Sequence, residues 1–212
     1  MKDHVLIREG LPTLGVLLIF TVILYLLYPA LAVIGIGLIL YVLFFFRDPK
    51  RTITIDDKLV LAPADGLVTN IEKVFEPQYL QEEAIRVSIF MSPFDVHVNR
   101  SPISGTVNYL EYRKGEFISA TKSESHEVNE KNFIGITNGK RKVLVVQIAG
   151  IMARRIVNWT KMDQNLTQGE KIGMIKFSSG TQIYLPCSTE ILVKKGEKIQ
   201  AGKTIIGRFA ND

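Results

Sequence analysis

The first part of the chain contains an apolar stretch longer than one membrane crossing requires. From Leu11 to Phe46 there are 36 residues without an Asp, Glu, Lys, Arg or His, whereas a spanning helix needs only about 20 apolar residues. Tyr28-Pro29 lies near the middle, where a proline readily ends one helix and begins the next. The stretch predicts a hairpin of two membrane helices, spanning or re-entrant. A single long tilted span and a fully soluble chain are the alternatives.

Basic residues flank this stretch on both sides. Lys2 and Arg8 precede it, and Arg47, Lys50 and Arg51 follow it, with no charge at the predicted tip. The positive-inside rule then places both ends on the cytoplasmic face of the cell membrane. A secretory signal fits poorly, because its apolar core is only about 7 to 15 residues long.

We assign residues 1–51 to this anchor and residues 52–212 to a second domain, whose composition excludes several classes. The formal net charge of the chain is +5, but no Lys/Arg-rich run with interleaved aromatic residues indicates nucleic-acid binding. A basic domain beside anionic lipid headgroups is the simpler interpretation. With Cys187 as the one cysteine, an intramolecular disulfide is excluded. No metal site is predicted, because three scattered histidines and one cysteine lack ligand spacing.

The second domain consists of short β-rich runs separated by Gly, Pro, Asn and Asp, which is typical of antiparallel sheets. Weak helical patterns occur only at Gln78 to Ala84 and Glu124 to Asn132. The predicted fold class is mainly β (α+β): an antiparallel β-sandwich or barrel-like domain preceded by the helix hairpin. The predicted strands are Leu59 to Ala62, Leu67 to Val74, Ile85 to Met91, Thr106 to Tyr112, Lys142 to Ile148 and Ile191 to Lys194.

An internal echo supports this fold class. The segments P-A-D-G-L-V-T-N-I-E, from Pro63 to Glu72, and P-I-S-G-T-V-N-Y-L-E, from Pro102 to Glu111, share P-x-x-G-x-V-x-x-[IL]-E. In each, glycine would supply a turn conformation closed to most residues before a strand begins. With two more glycine turns between Val193 and Gly207, the pattern resembles the barrel-sandwich hybrids of biotinyl and lipoyl domains.

Two short segments could carry chemistry. In M-S-P-F-D-V-H-V-N-R-S-P, strand spacing would place Asp95, His97 and Asn99 on one face, where a carboxylate can orient an imidazole for proton transfer. An ordinary loop histidine is the alternative. In K-F-S-S-G-T-Q, from Lys176 to Gln182, a strand enters a Ser-Ser-Gly turn whose hydroxyl could attack the preceding carbonyl. A plain turn is the alternative there.

Together these residues resemble a known family, the short-form phosphatidylserine decarboxylases, which are pyruvoyl-dependent membrane enzymes. The matching stretches span nearly the whole chain in the family's order. They are F-F-F-R-D-P-K-R (Phe44 to Arg51), L-A-P-A-D-G (Leu61 to Gly66), M-S-P-F-D-V-H-V-N-R-S-P-I-S-G (Met91 to Gly105), Q-I-A-G-I-M-A-R-R-I-V (Gln147 to Val157) and G-M-I-K-F-S-S-G-T-Q-I-Y-L-P (Gly173 to Pro186).

The resemblance implies a proenzyme that cleaves itself between Ser178 and Ser179. Ser179 Oγ would attack the Ser178 carbonyl, and elimination and hydrolysis would leave a pyruvoyl group on the small chain, residues 179–212. The large chain would hold residues 1–178. The serine headgroup would condense with the pyruvoyl ketone as a Schiff base and lose CO₂, giving phosphatidylethanolamine.

The resemblance also implies roles for other residues. Asp65 corresponds to an aspartate grouped with a histidine and the cleaved serine in a charge-relay arrangement for maturation. His97 matches the family's histidine and would act as general acid or base, with Asp95 supporting it.

This chain departs from the family pattern at three positions. Ser178 stands where the family usually has Gly, which narrows the backbone angles open to the turn. Gln182 stands where an aspartate is common, so a negative charge would be lost beside the cofactor. Arg100 replaces the second histidine of long-form relatives.

The resemblance further implies a homodimer of processed protomers, with the catalytic domain on the cytoplasmic face of the membrane and a phospholipid substrate. Two alternatives remain open. One is a membrane-anchored barrel-sandwich adaptor without catalysis, and the other is a decarboxylase of an ether-linked archaeal phosphoserine lipid.

Overall fold

The computed structural model describes residues 8–116, 128–150, 155–176 and 179–210. The chain divides into two compact units, Met1–Lys50 and Arg51–Asp212. Arg51, a basic flank of the anchor in the sequence, belongs to the second unit.

The first unit contains two apolar helices, α1 (Leu11–Leu27) and α2 (Ala32–Phe45), with 3-10 turns at Arg8–Gly10 and Pro29–Leu31. The proline begins the second turn, as its fixed φ and missing N–H favour. A Cβ added at Gly35 would lie 2.2 Å from Thr21 Oγ1, so the absence of a side chain lets the two helices touch.

Apolar side chains cover the outside of these helices. Leu26 and Val33 are 76% and 70% exposed, and in water such a surface would be costly. Within the described residues, the helical stretch Arg8–Leu27 is long and apolar enough to cross a membrane, whereas Pro29–Phe45 is shorter. The apolar helix is therefore consistent with membrane association.

The second unit is built from antiparallel β-strands in three sheets. An eight-stranded sheet has the order β13-β2-β3-β11-β7-β6-β5-β9, and two three-stranded sheets have the orders β4-β10-β8 and β1-β14-β12. The strands are β1 (Leu59–Leu61), β2 (Gly66–Glu76), β3 (Glu82–Met91), β4 (Val98–Arg100), β5 (Gly105–Arg113), β6 (Lys131–Thr137), β7 (Lys142–Ala149), β8 (Arg155–Asn158), β9 (Asn165–Leu166), β10 (Lys171–Lys176), β11 (Ser179–Pro186), β12 (Glu190–Ile191), β13 (Lys198–Ile199) and β14 (Ile205–Arg208). The mainly β prediction with an apolar helical N-terminus is confirmed, and the large sheet curls into a half-barrel.

The large sheet buries side chains on both faces. On one face, Val145, Ile183 and Ile89 belong to the main aliphatic core. On the other, Leu144 and Val146 pack with Tyr79 and neighbouring aromatic rings. Because strand side chains alternate between faces, any residue of β11 can be assigned to one core or the other from its position.

The repeated P-x-x-G-x-V segment forms the same structure twice. Gly66 begins β2 and Gly105 begins β5, and each strand has a register shift just after its valine, between Val68 and Asn70 or between Val107 and Tyr109. A Cβ would lie 2.2 Å from Phe90 O at the first glycine and 2.5 Å from Thr137 O at the second. Only the first has positive φ, 152°. Close approach of the neighbouring strand is thus the shared reason for glycine.

Five of the six predicted strands are confirmed as β1, β2, β3, β5 and β7, and the sixth shortens to β12. The helix predicted at Gln78 to Ala84 is wrong. The buried Glu76 carboxylate accepts hydrogen bonds from the N–H groups of Gln78, Tyr79 and Leu80, which fixes a turn. Gln81 then takes a left-handed φ of 58° and β3 begins. Of the other weak helix, residues 124–127 lie outside the described residues and Lys131 begins β6.

Candidate active site

Ser179 lies where the chain passes from one sheet to another. β10 ends at Lys176 in the sheet of β4 and β8, and β11 begins at Ser179 in the eight-stranded sheet. Phe177 and Ser178 connect these strands and lie outside the described residues. The bond predicted to be cleaved therefore lies in the connection between the two sheets. Of the two residues that it joins, Ser179 is described and Ser178 is not.

Ser179 is fully buried at the end of the large sheet. It pairs with Met91, the last residue of β3, and with Ala149, the last residue of β7. Its Oγ lies 3.5 Å from Met91 Sδ as a hydrogen-bond donor. A thioether is a weak acceptor, so this contact holds the hydroxyl proton loosely and a stronger base can take it.

His97 is also fully buried. Its Nδ1 lies 2.9 Å from the backbone oxygen of Asp95, and a carbonyl can only accept, so Nδ1 carries a hydrogen. In the neutral imidazole, Nε2 then keeps the lone pair that can receive a proton. The backbone oxygen of His97 accepts from Ile175 N at 3.3 Å, which ties the histidine to β10 just before the crossing.

The Asp95 carboxylate does not contact the imidazole in the way that strand spacing predicted. It accepts hydrogen bonds from Ser92 N at 2.8 Å and Ser92 Oγ at 2.7 Å, while Asp95 N donates to Ser92 O. The segment is a closed turn, and β4 begins only at Val98. Asp95 therefore supports His97 through its main-chain oxygen.

Asp65 is held in a buried ion pair. Its Oδ2 accepts from Arg51 Nη2 at 2.7 Å and its Oδ1 from Ala201 N at 2.8 Å, while Arg51 Nη1 donates to Ala201 O. The two side chains are only 6% and 11% exposed. Breaking such a pair strands one buried charge and costs about 3–5 kcal/mol. Sequence inspection missed this pair, because Arg51 resembles one more basic residue beside the anchor.

The Asp65 turn and the Ser179 strand meet at the same end of the large sheet. Gly66, next to Asp65, lies against Phe90 O, and Phe90 pairs with Gly180. Asn99, two residues after His97, donates to Pro63 O at 3.3 Å and to Thr181 Oγ1 at 3.1 Å. Asp65, His97 and Ser179 thus lie on segments that converge at one sheet end.

Gln182 does not lie beside Ser179 as the family pattern suggested. Residues 179 and 181 face the main core, so alternation places the buried Gln182 on the opposite face. Its Nε2 donates to Ser88 Oγ at 3.4 Å and its Oε1 accepts from Tyr184 OH at 3.0 Å. Burial raises the pKa of Tyr184, partly offset by a hydrogen bond with Arg86. Tyr184 therefore stays protonated and keeps donating.

Arg100 hydrogen-bonds to the main chain of another segment. It is buried, and its Nη1 donates to Gly169 O at 3.0 Å. Alternation along β4 puts it opposite Asn99. Since arginine is not deprotonated in proteins, Arg100 does not replace the second histidine of long-form relatives as a proton-transfer group.

Among the described residues, no group of three or more His, Cys, Asp or Glu is arranged to hold a metal ion. The absence of a metal cofactor remains a prediction. Cys187 is exposed, with Sγ 3.3 Å from Glu83 O.

Comparison with known proteins gives consistent matches along the chain. The sequence profile of the family described as "Phosphatidylserine decarboxylase" matches residues 38–207. A "Phosphatidylserine decarboxylase proenzyme" of Carboxydothermus hydrogenoformans is 49% identical over 211 residues, 99% of both chains. One of Symbiobacterium thermophilum is 44% identical over 210 residues, 99% of this chain and 98% of the relative. One of Chlorobium phaeobacteroides is 44% identical over 183 residues, 86% of each.

Proposed function

The chain belongs to the phosphatidylserine decarboxylase family and decarboxylates phosphatidylserine, and we propose that its cofactor is a pyruvoyl group made from Ser179. The observation that carries this proposal is the burial of Ser179 at the sheet crossing, with its hydroxyl on a weak acceptor. Serine side chains are mostly exposed in folded proteins, so full burial of this hydroxyl is unusual.

Self-cleavage would use only groups of this chain. Ser179 Oγ loses its proton to a base and attacks the carbonyl carbon of Ser178. The peptide C–N bond breaks as the nitrogen takes a proton, which leaves an ester. Loss of the Cα proton of residue 179 then expels the Ser178 carboxylate and leaves a dehydroalanine. Its enamine form tautomerises, and water hydrolyses it with release of ammonia.

The residues around Ser179 fit the product. A pyruvoyl group keeps the serine carbons and lacks Oγ, so it needs no more space than the buried side chain that it replaces. Its ketone supplies an electron sink for the bond that loses CO₂. The Met91 thioether beside it donates no proton and is uncharged, so it would neither protonate the ketone nor pair with an incoming amine.

His97 is our candidate general base for cleavage and general acid for protonation of the decarboxylated substrate. Its Nδ1 contact with Asp95 O fixes the ring tautomer, which leaves Nε2 to exchange the proton. Asp65 would act more remotely, because both of its oxygens are held by Arg51 and Ala201. We propose that it fixes the turn at Pro63, against which the His97 segment lies.

Mass spectrometry of the purified, denatured protein tests the proposal. We expect two chains, residues 1–178 and 179–212, with no free amino group at the new N-terminus of the smaller one. A single chain of 23.8 kDa would contradict the proposed cofactor and favour a non-catalytic adaptor. Release of CO₂ from ester-linked and ether-linked phosphoserine lipids, compared in parallel, would decide between the two lipid classes.

We further propose that the Ser179 end of the sheet meets the lipid surface. Phe94 is 69% exposed in the turn that follows β3, and Lys198 and Leu67 are exposed where β13 pairs with β2 at the same end. Arg155 is exposed opposite Lys176. Aromatic and basic side chains together suit an anionic bilayer.

Phe94→Ser is expected to lower turnover of phosphatidylserine in vesicles several-fold, mainly by raising the apparent KM, while self-cleavage stays unchanged. Phe75→Ser is the matched control. Phe75 is 61% exposed, but it pairs with Glu83, eight residues along β3 from Met91, or about 27 Å away. Equal vesicle activity of the two variants would refute the contact.

Cytoplasmic orientation and a homodimer of processed protomers remain part of this proposal. Orientation can be read from protease access to the second unit in sealed inverted vesicles. Light scattering of detergent-purified protein would report the oligomer.

A further inference from the structure

The side chain of Asn99 makes hydrogen bonds to three segments that the backbone pairing of the strands does not connect to β4. It is fully buried. Its Nδ2 donates to Pro63 O and Thr181 Oγ1, at 3.3 and 3.1 Å, and its Oδ1 accepts from Gln147 Nε2 at 2.8 Å. Each hydrogen-bonding atom of the side chain is used, and each partner lies on a different segment of the chain.

The Asn99 amide lies at the centre of a connected series of buried polar side chains. Gln147 Oε1 accepts from Asn132 Nδ2 at 2.8 Å, which fixes the direction of the Gln147 amide. Gly173 provides the space, because a Cβ there would lie 2.9 Å from Gln147 Nε2. The arrangement of donors and acceptors is therefore specific.

These contacts cross between two sheets. Asn99 lies on β4, which His97 directly precedes, whereas Ser179 and Thr181 belong to β11 in the large sheet. Burial of apolar side chains between the two sheets stabilises their packing without fixing a direction. Hydrogen bonds between the sheets, in contrast, fix a distance and an angle. Because the proposed base directly precedes β4 and the proposed nucleophile begins β11, the separation of the two sheets decides whether a proton can pass.

We propose that Asn99 is a positioning residue for self-cleavage, which holds the segments of Asp65, His97 and Ser179 in one register. Each of these residues is two positions from a member of the contact set: Pro63, Asn99 or Thr181. The inference rests on the proposed cleavage at Ser179. A misplacement of about 1 Å can cost about 10²-fold in rate.

The test follows cleavage of freshly synthesised full-length chain in lipid nanodiscs, as a first-order rate. Asn99→Leu is expected to slow cleavage about 100-fold. Gln168→Leu removes another buried amide, whose hydrogen bonds to Asp56 N, Leu59 O and Pro102 O lie outside this contact set, so it is expected to cleave within about threefold of wild type.

A second pair covers the case in which Asn99→Leu does not fold. Thr181→Val is isosteric but lacks the hydroxyl, and it should slow cleavage about tenfold, whereas Thr181→Ser keeps the hydroxyl and should restore the rate. Circular dichroism checks that each variant is folded.

The outcomes are distinct. Wild-type cleavage rates in Asn99→Leu, or equal losses in the Asn99 and Gln168 variants, would overturn the positioning role. Equal rates in Thr181→Val and Thr181→Ser would do the same when Asn99→Leu is unfolded. Failure of the wild-type chain to cleave would instead refute the proposed cofactor.

Discussion

Replacing Ser179 with alanine is expected to leave one uncleaved chain of 23.8 kDa that releases no CO₂ from phosphatidylserine. Alanine has no oxygen to attack the Ser178 carbonyl, and without cleavage no ketone forms. Because the hydrogen bond that the Ser179 hydroxyl donates among the described residues goes to a thioether, the substitution should cost little stability. Gel electrophoresis and CO₂ release measure the two losses, and circular dichroism measures the fold.

The neighbouring serine provides the matched control. Ser178→Ala removes a hydroxyl one residue away, but it keeps the carbonyl that is attacked and the hydroxyl that attacks. We expect this variant to cleave and turn over substrate. Ser178→Gly, which restores the residue usual in the family, should cleave at least as fast as wild type. If Ser178→Ala lost cleavage and Ser179→Ala kept it, Ser178 and not Ser179 would be the source of the cofactor.

His97→Gln is expected to reduce self-cleavage by a factor on the order of 10² to 10⁴, the usual contribution of a positioned general acid or base. Glutamine has a similar volume and can still donate to Asp95 O, but it cannot take up a proton near neutral pH. The cleavage rate of new chain and the turnover of any processed fraction are measured separately.

The two rates separate two roles of His97. Normal cleavage with lost turnover would restrict His97 to the substrate step and give maturation to another group. Normal rates in both assays would show that His97 has no role in either step. His126→Ala, at a histidine in a polar stretch outside the described residues, is the control and should behave as wild type in both assays.

Local patterns predicted much of the fold. Short β-rich runs bounded by Gly, Pro, Asn and Asp located β2, β3, β5 and β7, since strand-forming residues and turn residues separate clearly along this part of the chain. The helix expected at Gln78 failed because a single buried carboxylate, Glu76, caps the turn there. Propensity over a short window carries no information about such a contact.

The site was predicted less completely than the fold. Ser179 and His97 stand in recognisable segments, but the partners of Asp65 are 14 residues before it and 136 after it in the chain. No local pattern reports such pairings. Gln182 is a different case: the family pattern suggested a position beside the cofactor, whereas strand alternation along β11 places its side chain on the face opposite Ser179.

The position of β11 has a consequence for the lifetime of the enzyme. β11 is hydrogen-bonded on both sides, to β3 and β7, and the later strands β12, β13 and β14 pair with each other, β1 or β2. A cut at Ser179 would therefore leave a complex without a covalent link between its chains. Before the cut, unfolding is unimolecular and reversible in principle. Afterwards, refolding would require two chains to meet, so it would depend on concentration. Maturation thus converts a polypeptide that can refold by itself into a two-chain complex, whose lifetime depends on a slow rate of unfolding.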